Sequence, residues 1–178
     1  MSDEKKGLGL VQVYTGDGKG KTTAALGLAF RASGRGLKVM MIQFLKPDAG
    51  YGEHKSAESL PNFTILPMGA KHLCGNPSTR DEDIRLTAEA LVKADEVLSS
   101  GEYDLVIMDE INNSLRFGLV TSEEVIKVLD RRAPNTEVVL TGRRAPQEII
   151  DYADLVTEMR MVKHPFDKGV PAREGIEY

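Results

Sequence analysis

Leu10-Val11-Gln12-Val13-Tyr14-Thr15-Gly16-Asp17-Gly18-Lys19-Gly20-Lys21-Thr22-Thr23-Ala24-Ala25 is the stretch whose reading decides the fold. A β-branched run, Leu10 to Tyr14, enters a loop with glycine at positions 16, 18 and 20, and an alanine-rich segment of helical character follows. Such glycines let backbone N–H groups turn inward around an anion, Lys21 adds a point charge, the Thr22 hydroxyl can hold Mg²⁺, and the new helix contributes the positive end of its dipole. The segment therefore reads as a phosphate cradle. The usual pattern G-x-x-x-x-G-K-[ST] has glycine where this chain has Thr15. A basic surface turn is the alternative, but it accounts for neither the strand before the loop nor the helix after it.

Apolar, β-branched segments recur along the chain at Leu10 to Tyr14, Lys38 to Phe44, Phe63 to Met68, Leu105 to Met108, Glu137 to Leu140 and Asp154 to Met159. Helical periodicity separates several of them, at Thr22 to Arg35, Asp81 to Leu98, Ser122 to Leu129 and Pro146 to Tyr152. Near-continuous apolar strands suit a sheet covered on both faces. The order predicts an α/β fold: a mostly parallel sheet with helices on both faces, in a phosphate-loop NTPase (RecA-like) architecture. Gly34 and Gly36 are placed to end the first helix, and Thr121-Ser122-Glu123-Glu124 offers a cap with early acids for another. Ligands of open parallel sheets collect beyond the carboxyl ends of the strands, so the other strand-end loops belong to the same site.

The 178 residues, 41% hydrophobic and 28% charged, suit one soluble globule, with residues 1–178 as a single domain and residues 1–7 as a flexible tail. A net charge of −4 argues against a general nucleic-acid partner, for which a basic face would dominate the sum. Cys74 is the lone cysteine, which excludes an intrachain disulfide. No apolar run reaches the about 20 residues that cross a bilayer, and Met1 to Lys6 is unlike a signal peptide, so the expectation is a cytoplasmic protein with no membrane partner.

A second chemical signal is Leu105-Val106-Ile107-Met108-Asp109-Glu110, an apolar strand ending in two acids. Carboxylates emerging beside a phosphate loop can take a Mg²⁺ position directly or through water. An ordinary solvated strand end is the alternative. A third strand ends at Thr141-Gly142-Arg143-Arg144, where Arg143 either senses phosphate charge or forms a surface salt bridge. Arg31, on the helix opened by Lys21, reaches either the ligand or solvent. The middle loop, Gly69 to Pro77, holds His72 and Cys74, but two soft ligands without further ligand spacing favour a substrate loop over a zinc site. No Ser/His/Asp array is evident in the sequence, which suits catalysis by positioning and charge neutralisation.

These residues resemble those of the ATP:corrinoid adenosyltransferases, the phosphate-loop family acting on cob(I)alamin and its precursors. The likeness rests on Tyr14 to Ala25, Ile42-Gln43-Phe44, Met108-Asp109-Glu110, Thr141-Gly142-Arg143, Ala153-Asp154, Val162-Lys163-His164-Pro165-Phe166-Asp167-Lys168-Gly169 and Gly175-Ile176-Glu177-Tyr178. The C-terminal signature discriminates most, because generic phosphate-loop NTPases lack it, and Thr15 in place of glycine also resembles this family's loop. The resemblance implies that Co(I) of a reduced corrinoid attacks the 5′ carbon of ATP, forming a cobalt–carbon bond and releasing triphosphate. It also implies a triphosphate bound in the reverse of the usual direction, which brings the 5′ carbon toward the corrinoid.

By the same resemblance, Thr15, Gly16, Asp17, Gly18, Lys19, Gly20, Lys21, Thr22 and Thr23 bind phosphate. Lys21, Thr22 and Glu110 carry the chemistry, and Thr22 and Glu110 ligate Mg²⁺, or Mn²⁺ in its place, with Asp109 in support. Arg31 and Arg143 contact ATP, while Lys163, His164 and Phe166 shape the nucleotide pocket. The implied partners are cob(I)alamin or a cobinamide-type corrinoid, a flavoprotein reductase that supplies Co(I), and a second copy of the chain in a homodimer. The stretch Met68 to Cys74 departs from the family in having no aromatic except His72. Two other readings stay open: a phosphoryl-transfer or hydrolytic phosphate-loop enzyme, which would yield ADP, and a noncatalytic carrier of nucleotide or corrinoid.

Overall fold

The computed structural model describes residues 7–47, 50–72 and 77–178. Among them six strands form one sheet in the order β3-β2-β4-β5-β1-β6, and every neighbouring pair is parallel. The strands are β1 (Val11–Thr15), β2 (Val39–Gln43), β3 (Phe63–Pro67), β4 (Leu105–Asp109), β5 (Glu137–Thr141) and β6 (Leu155–Glu158). The helices are α1 (Lys21–Ser33), α2 (Gly52–Ala57), α3 (Arg80–Ser100), α4 (Ile111–Arg116), α5 (Ser122–Asp130) and α6 (Gln147–Tyr152). The expected α/β class is observed, with a wholly parallel sheet among the described residues.

The continuous apolarity of the central strands follows from burial on both sides. Val39 and Met41 of β2 pack with Leu105, Ile107 and Val139 against Ala25, Ala29 and Ala32 of α1. Met40 and Ile42 face the other way, joining Val106, Met108, Val138 and Leu140 against α3, α5 and α6. Each fully buried Val, Ile or Leu stabilises the fold by about 1.5–3 kcal/mol, so alternate strand residues contribute to two cores at once. The alanines at i, i+4 and i+7 of α1 let that helix lie close on the sheet. This close seat holds the helix N-terminus, and the loop before it, at the sheet's carboxyl edge.

Helix ends follow from local chemistry. Thr121 caps α5 in a reciprocal box: its hydroxyl accepts from the Glu124 N–H at 3.3 Å, and the Glu124 carboxylate accepts from the Thr121 N–H at 2.8 Å. Gly34 ends α1 in a right-handed conformation, and the left-handed turn falls on Gly36 at φ 77°, where the Leu37 N–H bonds Ala32 O. The edge strand β6 differs from the rest in having all four residues exposed. Cys74 and residues 1–6, part of the expected tail, lie outside the described residues. No helix among the described residues is long and apolar enough to cross a membrane.

Candidate active site

Four strand ends build one cleft: the loop after β1, the acid pair at the end of β4, the turn after β5 and the segment after β2. Its volume is about 780 Å³. Of the residues singled out from the sequence, Gly18, Lys19, Gly20, Lys21, Thr22 and Thr23 line it, and so do Glu110, Arg143 and His164. Thr15, Gly16, Asp17, Asp109, Arg31, Lys163 and Phe166 are not among the lining residues; Asp109 is fully buried at the end of β4, and Phe166 is exposed, with its N–H donating to His164 Nδ1 at 3.2 Å.

The loop's glycines are dictated by close backbone approach to the end of β6. The Gly18 N–H donates to Met159 O at 2.7 Å, and a Cβ on Gly18 would meet that oxygen at 2.6 Å and Arg160 backbone atoms at 2.8 Å. Gly16 is doubly constrained, by φ 96° and by Met159 O, which lies 2.4 Å from where its Cβ would be. Thr15 is the buried last residue of β1, and its hydroxyl accepts from the Ala145 N–H at 3.0 Å. That bond gives a physical reason for threonine where the common motif has glycine. Gly18→Ala is expected to force the loop and β6 apart and to destabilise the fold by about 1–3 kcal/mol, as overpacking does. A thermal midpoint equal to wild type, with unaltered nucleotide affinity, would contradict that account.

Lys21 Nζ donates to Gly16 O at 2.9 Å and Gly18 O at 2.7 Å, which curls the loop around its own cation. Burial, then the charge of Arg143, lowers the Lys21 pKa, while Glu110, Asp17 and Asp109 oppose the shift. Asp109 is fully buried. Its Oδ1 accepts from the Thr22 hydroxyl at 2.9 Å and the Thr141 hydroxyl at 2.6 Å, and Lys46 Nζ lies 3.0 Å from its Oδ2. Burial works against a charged Lys46, but the attraction and hydrogen bond of Asp109, helped by Glu110 and Glu53, outweigh it and raise the lysine's pKa.

Glu110 has a left-handed backbone, φ 67°, which turns the chain from β4 into α4 and aims the side chain at the cleft wall. Its N–H donates to the Thr141 hydroxyl at 3.0 Å, and its carboxylate accepts from Asn113 Nδ2. Asn113 also accepts from the Arg143 N–H at 2.8 Å, so one amide ties the acid to the β5 turn. Burial, then neighbouring Asp109, pushes the Glu110 pKa up, against Lys46, Lys21 and Arg143. Two adjacent acids among three cations form a site suited to a polyanion with a divalent cation.

Lys46, Asn113 and Glu53 were not singled out in the sequence. Lys46 sits three residues past the end of β2, so the rule that ligands gather at the strands' carboxyl ends is the signal that could have found it. Asn113 lies one helical turn after Glu110, where i and i+3 share a face. Gln43, buried at the end of β2, accepts at Oε1 from His54 Nε2 at 2.7 Å, which selects the Nε2–H form of the ring and anchors α2 over the cleft.

The C-terminal segment returns to the phosphate loop. Lys19 Nζ donates to Ile176 O at 3.1 Å and to Glu177 Oε1 at 2.8 Å, and the Tyr178 ring meets Tyr51 edge-on at 6.5 Å. The side-chain hydrogen bond from Arg173, then that from Lys19 and the Arg173 N–H, hold Glu177 down to about 2. A depressed carboxylate stabilises its contacts above its unfolded pKa, 4.5, and loses that stabilisation as pH falls through its folded value. In an acid titration followed by carboxylate carbon NMR, Glu177 is therefore expected to protonate well below 4.5. A midpoint at or above 4.5 would mean that the segment is not held on Lys19.

Comparison with known proteins places these features together in one group. The family model described as "ATP:corrinoid adenosyltransferase BtuR/CobO/CobP" matches residues 7–178. A corrinoid adenosyltransferase from Sinorhizobium sp is 37% identical over 182 residues, covering 99% of this chain and 82% of that protein. One from Escherichia coli (strain K12) is 37% identical over 170 residues, with 96% of this chain and 86% of that protein covered. One from Pseudomonas aeruginosa is 34% identical, with coverage of 96% and 84%. Among solved structures, the flagellar accessory protein FlaH from Methanocaldococcus jannaschii superposes with a TM-score of 0.55 at 15% identity, covering 85% of this chain and 72% of that one. That last likeness is one of fold.

Proposed function

The chain belongs to the ATP:corrinoid adenosyltransferase family, and from this membership we propose how its cleft works: it holds ATP by the triphosphate and presents the 5′ carbon to the cobalt of a reduced corrinoid. The reaction transfers the 5′-deoxyadenosyl group from ATP to Co(I), and triphosphate departs. The observation that carries this reading is convergence: the matched residues 7–178 include the phosphate loop, the acid pair and the C-terminal segment, and all three meet at one cleft.

Co(I) arrives without a proton, so the protein has none to remove from the nucleophile. What the reaction demands is stabilisation of charge growing on the departing triphosphate, together with alignment of the 5′ carbon. Lys21 and Arg143 meet the first demand. The first turn of α1 adds its unpaired N–H groups and the positive end of its dipole.

Mg²⁺ fits this donor set. The Thr22 hydroxyl spends its proton on Asp109, which leaves its lone pairs for a cation, and the buried Glu110 carboxylate gains from one. Such an ion takes one or two protein oxygens and completes its shell with phosphate and water. Thr22 and Glu110 would hold Mg²⁺, with Asp109 orienting Thr22. When bound, the ion neutralises triphosphate charge.

The reading also includes a homodimer and a flavoprotein reductase as the source of Co(I), both carried by the family resemblance, and a cytoplasmic setting, which is the expectation from the sequence. Purified protein given MgATP and chemically reduced cob(I)alamin without oxygen is expected to yield a light-sensitive alkylcobalamin, seen by absorbance before and after photolysis. Binding of both substrates with no light-sensitive product would replace the enzyme with a carrier.

A further inference from the structure

Lys46 lines this cleft and the reaction as derived above assigns it no task; unlike Lys19, whose Nζ is engaged by Ile176 O and Glu177, it adjoins the acid pair. It comes from the segment after β2, and β2 neighbours β4, whose end carries Asp109 and Glu110. Arg143 comes from β5, on the opposite side of β4, and Lys21 from the loop after β1, one strand further on. The acid pair is therefore flanked along the sheet edge, with Lys46 on one side and Arg143 and Lys21 on the other.

Its contacts suit a group that serves a ligand. Asp109 is fully buried, whereas Lys46 keeps 24% of its side chain exposed and lines the cleft. Its Nζ lies 3.0 Å from Asp109 Oδ2 and 3.8 Å from Glu53 Oε1, and an ammonium group has three donors. Asp109 is the carboxylate that also orients the Thr22 hydroxyl, so Lys46 and Thr22 grip opposite oxygens of one acid. The base of the side chain is fixed, because the Gly69 N–H donates to Lys46 O at 2.9 Å and a Cβ on Gly69 would collide with the Lys46 backbone N at 2.4 Å. A partly exposed ammonium on a fixed stem, beside the place where a polyanion is held, is built to meet phosphate oxygens.

We propose that Lys46 is a further triphosphate-binding cation, held in place by Asp109 and meeting the polyphosphate from the β2 side while Lys21 and Arg143 meet it from the β1 and β5 side. The proposal rests on the adenosyl-transfer reading, because that reaction must stabilise an entire departing triphosphate. The competing role is purely structural, in which Lys46 only neutralises buried Asp109.

Inorganic tripolyphosphate, titrated calorimetrically into wild type, Lys46→Met and Lys46→Arg, separates the two roles. Lys46→Met is expected to weaken binding by about 10- to 100-fold, the value of one hydrogen bond between charged groups, and Lys46→Arg to recover most of it. Tripolyphosphate affinity equal to wild type in Lys46→Met would overturn the proposal, whatever happens to its thermal midpoint. Should Lys46→Met fail to fold, amine acylation of the wild-type protein, read by mass spectrometry, decides: tripolyphosphate is expected to slow acylation of Lys46, and an unchanged rate would overturn the proposal. Wild type that converts ATP to ADP would instead overturn the adenosyl-transfer reading itself, a result independent of any Lys46 variant.

Discussion

Lys21→Ala is expected to lower kcat/KM for ATP by about 10²–10³-fold, the usual cost of removing one preorganised group aimed at charge that develops in the transition state. At about 1.4 kcal/mol per decade this corresponds to roughly 3–4 kcal/mol of lost transition-state stabilisation. The lysine is largely enclosed by its own loop, donating to Gly16 O and Gly18 O, so bound phosphate meets a cation already held in position. Its loss also leaves the Gly16 and Gly18 carbonyls without their buried Nζ partner, at about 1–3 kcal/mol for each group left unsatisfied, so the thermal midpoint should fall as well. Near-normal affinity and turnover in this variant would remove Lys21 from the site.

Glu110→Gln is expected to cost about 100-fold in Mg²⁺-supported turnover and to raise the Mg²⁺ concentration needed for half-maximal rate, an effect at least as large as losing a partner that merely orients a metal ligand. The amide keeps the shape and can still accept from Asn113. Stability runs the other way. The Glu110 pKa is raised in the folded state by burial and by Asp109, so its ionised form weakens the fold at pH values above its unfolded pKa. A neutral glutamine relieves that cost, and the thermal midpoint at pH 7 should hold or rise. An unchanged Mg²⁺ dependence would transfer the ligand role to Asp109.

Much of the fold was legible because buried parallel strands announce themselves as short apolar runs. Val39 to Gln43, Leu105 to Asp109 and Glu137 to Thr141 are each buried throughout, and each fell within a residue or two of the stretch read from sequence. The helices α2 and α4 were not foreseen, since Gly52 to Ala57 has no apolar period and α4 carries the poor helix formers Asn112 and Asn113, whereas the equally short α6 is announced by Pro146 at its start. Strand order was also beyond local reading, because the β2–β4 and β1–β5 pairings join segments far apart in the chain.

The site divides in the same way. Lys21, Thr22, Asp109 and Glu110 belong to contiguous motifs whose chemistry is visible in a few residues, and the structure gathers them at one strand edge. Lys46, Asn113 and the Lys19–Glu177 pair depend on strand neighbours or on the returning C-terminal segment, which composition and periodicity do not encode. The Thr15 hydroxyl finds its use only through Ala145, 130 positions away. Arg31, expected as an ATP contact, is not among the residues that line the cleft, and its charge opposes the rise in the Tyr14 hydroxyl pKa that burial and Glu137 cause.

Carbon labelling distinguishes attack at the 5′ carbon of ATP from attack at phosphorus. ATP labelled with ¹³C at the 5′ position should be incubated with the protein, Mg²⁺ and cob(I)alamin without oxygen, and the mixture followed by ¹³C and ³¹P NMR in the dark. The account predicts that the labelled carbon moves to a resonance of a cobalt-bound methylene while free triphosphate accumulates in equal amount. A label that stays in a nucleotide as ADP and phosphate appear would contradict it.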